Sequence, residues 1–228
     1  MILETPLRMA HRGLGAVSYL ILRHPLKDRW SRSRPDQHLT WSMPVTGDAF
    51  VAQLQQARAL QPNARLLEIG PGYGRILSSL LHAGYPFQSY LGVDVSPASI
   101  TYLQENYASE RVRFASPECF PLSEPATCMY SSLVLKHIYP SFESVLRQAA
   151  DNLIPDGLAV FDLIEGGWPF ALRFLEPNRM FSTYIRQYRR PEVVAILARC
   201  GLALEYFADV WHTPKHRRLL VVARKRTV

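Results

Sequence analysis

The sequence predicts an α/β fold in which helices cover a mostly parallel sheet, and three observations carry that reading. From residue 45 onward, short apolar runs alternate with longer stretches of helical periodicity, the rhythm of strand-helix units on a parallel sheet. The first of these runs ends in alternate glycines, Glu68-Ile69-Gly70-Pro71-Gly72-Tyr73-Gly74, directly before a helical stretch. The next ends in an acid, Leu91-Gly92-Val93-Asp94-Val95-Ser96, twenty residues past Gly74.

The elements follow in order. A helix is predicted over 46–60, where Phe50, Leu54, Ala57 and Leu60 recur at helical spacing and Thr46 or Asp48 serves as cap. Strands are predicted at 65–69, 90–95, 112–115, 129–134, 158–164, 202–210 and 217–223, seven in all. Between them lie helices at 74–83, 96–108, 141–153 and 191–200. Ser96-Pro97 supplies an N-cap followed by proline at the first helical position, and Pro191-Glu192 repeats the proline start. Segments 1–45 and 166–190, both holding Trp, Pro, Arg and Tyr, stand outside the alternation. They are read as additions over one edge of a single domain at 46–228: an N-terminal helical or lid segment, and an insert that covers the substrate.

The chain has 228 residues, 48% hydrophobic and 20% charged, a balance that excludes fibrous and intrinsically disordered classes. The longest apolar run, residues 14–22, is far short of the roughly 20 residues a spanning helix needs. It follows Arg8 and Arg12 in the manner of a secretory signal but leads into Arg-His-Pro-Leu-Lys without a small-residue cleavage site, so a cytoplasmic location is expected. Cys119, Cys128 and Cys200 are odd in number and lack C-x-x-C spacing, which fits neither a disulfide framework nor a four-ligand zinc site. The net charge of +7 is carried by the ends. Residues 1–35 hold seven basic against two acidic residues, 212–228 six against none, and the middle is acidic by four. Basic ends of this kind are solvated rather than one nucleic-acid stripe.

The E-x-G-x-G-x-G spacing marks a ligand site at the carboxyl ends of the strands, where glycine lets the main chain take positive φ or lie against a bound molecule. A dinucleotide fingerprint would require glycine at position 75, which is Arg, and the Gly-Lys-Ser/Thr of a P-loop is absent. The carboxylate of Asp94 is placed to accept hydrogen bonds from vicinal ribose hydroxyls.

With these residues in view, the chain resembles the class I S-adenosylmethionine-dependent methyltransferases over about residues 45–228. The resemblance rests on Glu68 to Gly74, on Val93-Asp94, on Ser132-Leu133-Val134-Leu135-Lys136-His137-Ile138, and on Leu153-Ile154-Pro155-Asp156-Gly157-Leu158. It implies a Rossmann-like three-layer sandwich with a seven-stranded sheet in the order 3-2-1-4-5-7-6, the last strand antiparallel. It implies S-adenosylmethionine as cofactor and S-adenosylhomocysteine as product, held by Glu68, Gly70, Gly72, Tyr73, Gly74, Asp94, Val95 and Ser132. An acid commonly follows strand three in this family; here Ser116 holds that place and Glu118 is the substitute. Strand four commonly opens with aspartate, where this chain has Cys128.

Glu68, at the end of an apolar strand, is read as an anchor for the loop. Tyr73 either shields the glycine turn or gives an aromatic contact to the sulfonium, worth about 0.5–2 kcal/mol. His137 follows strand four, beside the transferred methyl group in this family, and a hydroxyl nucleophile needs a base of near-neutral pKa, so His137 is the candidate general base. Glu165 and Asp36 are the next candidates, and Lys136 is expected to be solvated. Asp162 and Glu165 flank the end of strand five, where they would hold a substrate hydroxyl, share oxygen ligation of a divalent metal, or simply be strand-end charges. Residues 35–41 suit a lid over the cofactor. The expected activity is O-methylation of a small polar metabolite such as a sugar, glycoside or secondary metabolite. The rivals are an RNA methyltransferase, which the basic ends favour, and a non-catalytic cofactor-binding protein. No metal requirement is indicated, a homodimer is compatible with the sequence, and neither a membrane span nor a nucleic-acid partner is expected.

Overall fold

The computed structural model describes residues 31, 45–138, 140–166, 171–173 and 183–227. The predicted N-terminal helix, the 35–41 lid, Asp36, and much of the 166–190 insert lie outside these residues.

The chain runs α1 (Asp48–Gln56), β1 (Arg65–Ile69), α2 (Arg75–His82), β2 (Ser89–Val93), α3 (Pro97–Tyr107), β3 (Val112–Ala115), β4 (Ala126–Ser131), α4 (Glu143–Asp151) and β5 (Leu153–Glu165). It continues with β6 (Ala171–Arg173), β7 (Thr183–Ile185), β8 (Gln187–Tyr188), α5 (Arg190–Arg199), β9 (Leu202–Trp211) and β10 (Arg217–Lys225). The sheet order is β3-β2-β1-β4-β5-β10-β9. Strands β1 to β5 pair in parallel, and β10 is antiparallel to both its neighbours. Counting only the seven predicted strands, this is the order 3-2-1-4-5-7-6 with the last strand antiparallel. Two features are additional: β8 pairs with the far end of β5 and makes an eighth strand, and β6 with β7 form a separate two-stranded ribbon. Strands of two or three residues are too short to show periodicity, so the sequence pattern does not reveal them.

Alternation along each strand divides the core into two layers. Leu66, Tyr90, Phe114, Tyr130 and Val160 face α1, α2 and α3, which contribute Phe50, Leu54, Leu77, Leu80 and Leu103. Leu67, Val93, Met129, Phe161 and Val221 face α4 and α5, which contribute Leu146, Ala149, Val193 and Leu197. Each large side chain buried in this way contributes about 1.5–3 kcal/mol relative to exposure.

Three local expectations are corrected. Helix α1 has Gly47 at its N-cap with no side-chain cap bond; Asp48 instead accepts a hydrogen bond from Ser79 Oγ at 2.7 Å, so neither Thr46 nor Asp48 caps it. Strand β4 starts and ends three residues early, because the chain turns at Leu133, whose φ is 65°. Strand β5 begins at Leu153, and the Pro155-Asp156-Gly157 turn lies inside it as an irregularity: Ala126 pairs with Leu153, but Cys128 pairs with Leu158. The Ser96 cap is formed as read, its hydroxyl accepting from Ser99 N at 3.2 Å with Pro97 behind it.

Candidate functional site

The parallel strands end together, and Gly70, Gly72, Gly74, Asp94, Val95, Ser116, Ser132 and His137 follow their carboxyl ends. The turn out of β1 has Gly70, Gly72 and Gly74 at φ of 73°, 63° and 84°, values that favour glycine. At Gly70 a Cβ would fall 2.6 Å from Val134 Cγ2, whereas at Gly72 it would meet no atom within 4 Å. Gly70 is therefore required by packing against the turn after β4, and Gly74 by packing against α3, where a Cβ would fall 2.9 Å from Tyr107 Cε2. Gly72 leaves main chain open at the strand ends.

Asp94 holds this turn to the next loop. Its Oδ2 accepts from Gly72 N at 3.0 Å and its Oδ1 from Ser96 N at 2.9 Å. Burial pushes its pKa up, opposed by these N–H donors. Val95 beside it is 50% exposed, an apolar side chain standing at the open edge. Tyr73 is half-buried. Ser116 leads into the short turn Pro117–Cys119, and the exposed Glu118 is hydrogen-bonded to Ser116, which holds its carboxyl below the usual range.

Glu68 faces inward rather than toward the loop. It is 2% exposed and accepts from Tyr90 Oη at 2.7 Å, tying β1 to β2. Desolvation raises its pKa to about 7 against the lowering effects of Tyr90 and Arg75. The glycine turn is anchored by Asp94 instead.

Ser132 sits in a buried polar chain. Arg75, the first residue of α2, donates through Nη1 to Thr46 O at 2.7 Å and through Nη2 to Ser132 Oγ at 2.9 Å. Ser132 Oγ donates to Asp162 Oδ2 at 2.7 Å, and His212 Nε2 lies 3.0 Å from the same oxygen. Asp162 Oδ1 accepts from Leu133 N at 3.0 Å. Desolvation alone would push Asp162 up, but His212, the Lys136 ammonium and Ser132 together hold it below the ordinary carboxylate value. Lys136 is 4% exposed, so the expectation that it is solvated is wrong: it lies close enough to compensate Asp162.

His137 ends the short turn Leu135–His137 after β4, half-buried, its N–H donating to Val134 O at 2.8 Å. Lys136 O accepts from Arg186 N at 2.8 Å, so the same turn is tied to the chain entering β8. Glu165 is exposed and forms an ion pair with Arg190 at 2.8 Å. Asp162 and Glu165 are three residues apart on one strand and point to opposite faces, so they cannot share a ligand. Among the described residues there is no group of three His, Cys, Asp or Glu that could hold a metal ion. Nor is any described helix long and apolar enough to cross a membrane.

Sequence reasoning missed His212 altogether and read Asp162 chiefly as a strand-end group. The available signal was Asp162 itself, an acid within an uninterrupted apolar strand, which requires a buried partner. Nothing in the local sequence points fifty residues ahead to His212.

Comparison with known proteins gives the family and the fold. The family described as "Methyltransferase domain" matches residues 19–206, a range that takes in much of the N-terminal segment. No curated protein matches. Among solved structures, the chain is similar to CalS10, an amino pentose methyltransferase from Micromonospora echinaspora, with TM-score 0.59, 18% identity and coverage of 79% of this chain and 92% of that one. The glycopeptide N-methyltransferase MtfA bound to S-adenosylhomocysteine gives TM-score 0.63, 14% identity, and 79% and 90% coverage. A 1,6-didemethyltoxoflavin-N1-methyltransferase from Burkholderia thailandensis gives TM-score 0.55, 22% identity, and 79% and 87% coverage.

Proposed function

Because the chain belongs to the methyltransferase-domain family, with the class I Rossmann-like fold, we propose that it transfers a methyl group from S-adenosylmethionine to a hydroxyl on a small polar metabolite. The observation that carries the cofactor reading is the edge above Gly72, where no atom would meet a side chain and the Asp94 carboxylate is held at the loop. These residues fit the cofactor: Asp94 for the ribose, Gly72 for close approach of main chain, and Val95 as an apolar surface for the base. Tyr73 is the aromatic group for the sulfonium, with Ser116 and Glu118 at the adenine side.

The cofactor supplies a methyl group on a positively charged sulfur. The chain's part is to align the acceptor, exclude water and remove a proton, and alignment is the larger contribution. His137, on the turn after β4, is the proposed base; its imidazole would take the hydroxyl proton as the oxygen attacks. Glu165, committed to Arg190, is the weaker alternative, and Asp36 belongs to the segment proposed to cover the site. Transfer to nitrogen is the second reading, favoured by the N-methyltransferases among the structural neighbours.

The deciding experiment is methyl transfer from labelled cofactor to sugars, phenols, amines and RNA. Transfer to hydroxyl acceptors with a rate that rises through near-neutral pH supports the reading. His137→Ala should then lower kcat by about 10²–10⁴-fold while S-adenosylhomocysteine affinity stays within a few-fold. Turnover unchanged in a folded His137→Ala protein removes the base, and transfer only to amines or RNA removes the acceptor class.

A further inference from the structure

We propose that His212 and Asp162 form a positioning clamp that holds the strained turn after β4, and with it Lys136 and His137, at the cofactor edge. The turn needs holding. Leu133 has φ 65°, a left-handed conformation in which a branched side chain is unfavourable. Such a residue persists only where its surroundings over-determine it. Here the Leu133 N–H donates to Asp162 Oδ1 at 3.0 Å, and Ser132, one residue earlier, donates its hydroxyl to Asp162 Oδ2. One carboxylate thus grips two consecutive residues of the turn.

That grip depends on the orientation of Asp162, and His212 sets it. The imidazole is fully buried, with Nε2 3.0 Å from Asp162 Oδ2. An ionised carboxylate only accepts, so Nε2 carries the proton. Nδ1 has no hydrogen-bond partner among the described residues, and Nε2 meets Ser132 Oγ only at 3.5 Å, so the 3.0 Å contact to Asp162 is the ring's shortest polar interaction there. The ring is fixed from two sides. It stacks on Phe50 of α1 at 6.4 Å and 15°, and its backbone N–H closes the β9–β10 hairpin on His216 O at 3.1 Å. The clamp therefore transmits the position of the outermost hairpin and of α1 to the turn in which a base would work. Both side chains are fully buried, so they act through Leu133 and Ser132. The contact stands on geometry alone, and only its consequence for turnover rests on the methyl-transfer reading.

The test is a set of variants followed by hydrogen exchange of residues 132–138, S-adenosylhomocysteine calorimetry and thermal melting. His212→Phe keeps a ring against Phe50 but removes the donor; His212→Gln restores an N–H that can reach Asp162. In the phenylalanine variant, exchange at 132–138 should speed up by about ten- to a hundredfold while exchange in β1 and β2 is unchanged. The glutamine variant should recover most of the protection. Leu133→Gly removes the strain, so adding His212→Phe to it should change exchange at 132–138 much less than in the parent. If exchange rises equally across the sheet, or glutamine and phenylalanine behave alike, or the effects with Leu133→Gly are additive, the clamp is wrong. Should His212→Phe not fold, the comparison of His212→Gln with Asp162→Asn decides: protection kept in the first and lost in the second upholds the clamp, and the reverse order overturns it. Failure of wild type to bind S-adenosylhomocysteine would count against the cofactor reading and leave the exchange result intact. Where an acceptor is in hand, His212→Phe should lower kcat about 10- to 100-fold with KM for the cofactor nearly unchanged.

Discussion

Asp94 and Glu68 are both acids at strand ends, yet their environments separate their work. Asp94 is met by two backbone N–H groups at the open edge, so Asp94→Asn should weaken S-adenosylhomocysteine binding by at least about tenfold, since each hydrogen bond to a charged group is worth about 1.5–3 kcal/mol. Calorimetry on the folded variant checks this, and unchanged affinity would move the ribose elsewhere. Glu68 is enclosed, and its pKa is raised from 4.5 to about 7. Between those values the native protein keeps a proton that the unfolded chain has released. Stability from this group is therefore full below pH ~4.5, declines as pH rises and levels off above ~7, a loss on the order of 3 kcal/mol. Urea midpoints should fall from pH 5 to pH 8 in wild type and lose that component in Glu68→Gln, which keeps the shape and a partner for Tyr90; an identical slope would assign the titration to another group.

At the scale of elements, the glycine turn separates packing from binding. Gly70→Ala places a methyl group against Val134, whereas Gly72→Ala places one in open space at the strand ends. Both carry the left-handed strain of about 1–2 kcal/mol, so Gly70→Ala should lower the melting temperature more, and Gly72→Ala should lower cofactor affinity more than its stability cost explains. Melting with and without S-adenosylhomocysteine distinguishes them, and the reverse ranking would mean that the space above Gly72 is not the cofactor face. The elements themselves were largely legible because each of the seven main strands is long enough for its apolar run to show and two helices have a strong local start, at Ser96-Pro97 and Pro191-Glu192. What was not legible is pairing over distance. The break between Ala126 and Cys128 that draws 153–157 into β5 is a property of register, and β8 exists only because β5 offers it an edge. Likewise Lys136 reads as a surface residue until Asp162 is seen beside it.

For the whole molecule, the fold brings five strand ends to one edge while the charge lies elsewhere in sequence, and this decides which ligands should stabilise it. Part of the basic surplus in 212–228 is already neutralised: Arg217 pairs with Asp209 at 2.9 Å, and Arg224 pairs with Glu205. A polyphosphate backbone would have to compete with these pairs, so RNA should bind weakly and with a shallow salt dependence; a log-log slope of several units would indicate several phosphate contacts and overturn this. A ligand bound only by the native state stabilises it by RT ln(1 + [L]/Kd), about 2.7 kcal/mol at a hundredfold excess over Kd. For a chain of this size about 2–4 °C accompanies each kcal/mol. S-adenosylhomocysteine at that concentration should therefore raise the melting temperature by roughly 5–10 °C. Nicotinamide dinucleotide should give no shift, because Arg75 occupies the position its pyrophosphate turn would need as glycine and the guanidinium is committed to Thr46 and Ser132. A shift with the dinucleotide and none with S-adenosylhomocysteine would show that the glycine turn serves another nucleotide in the same fold.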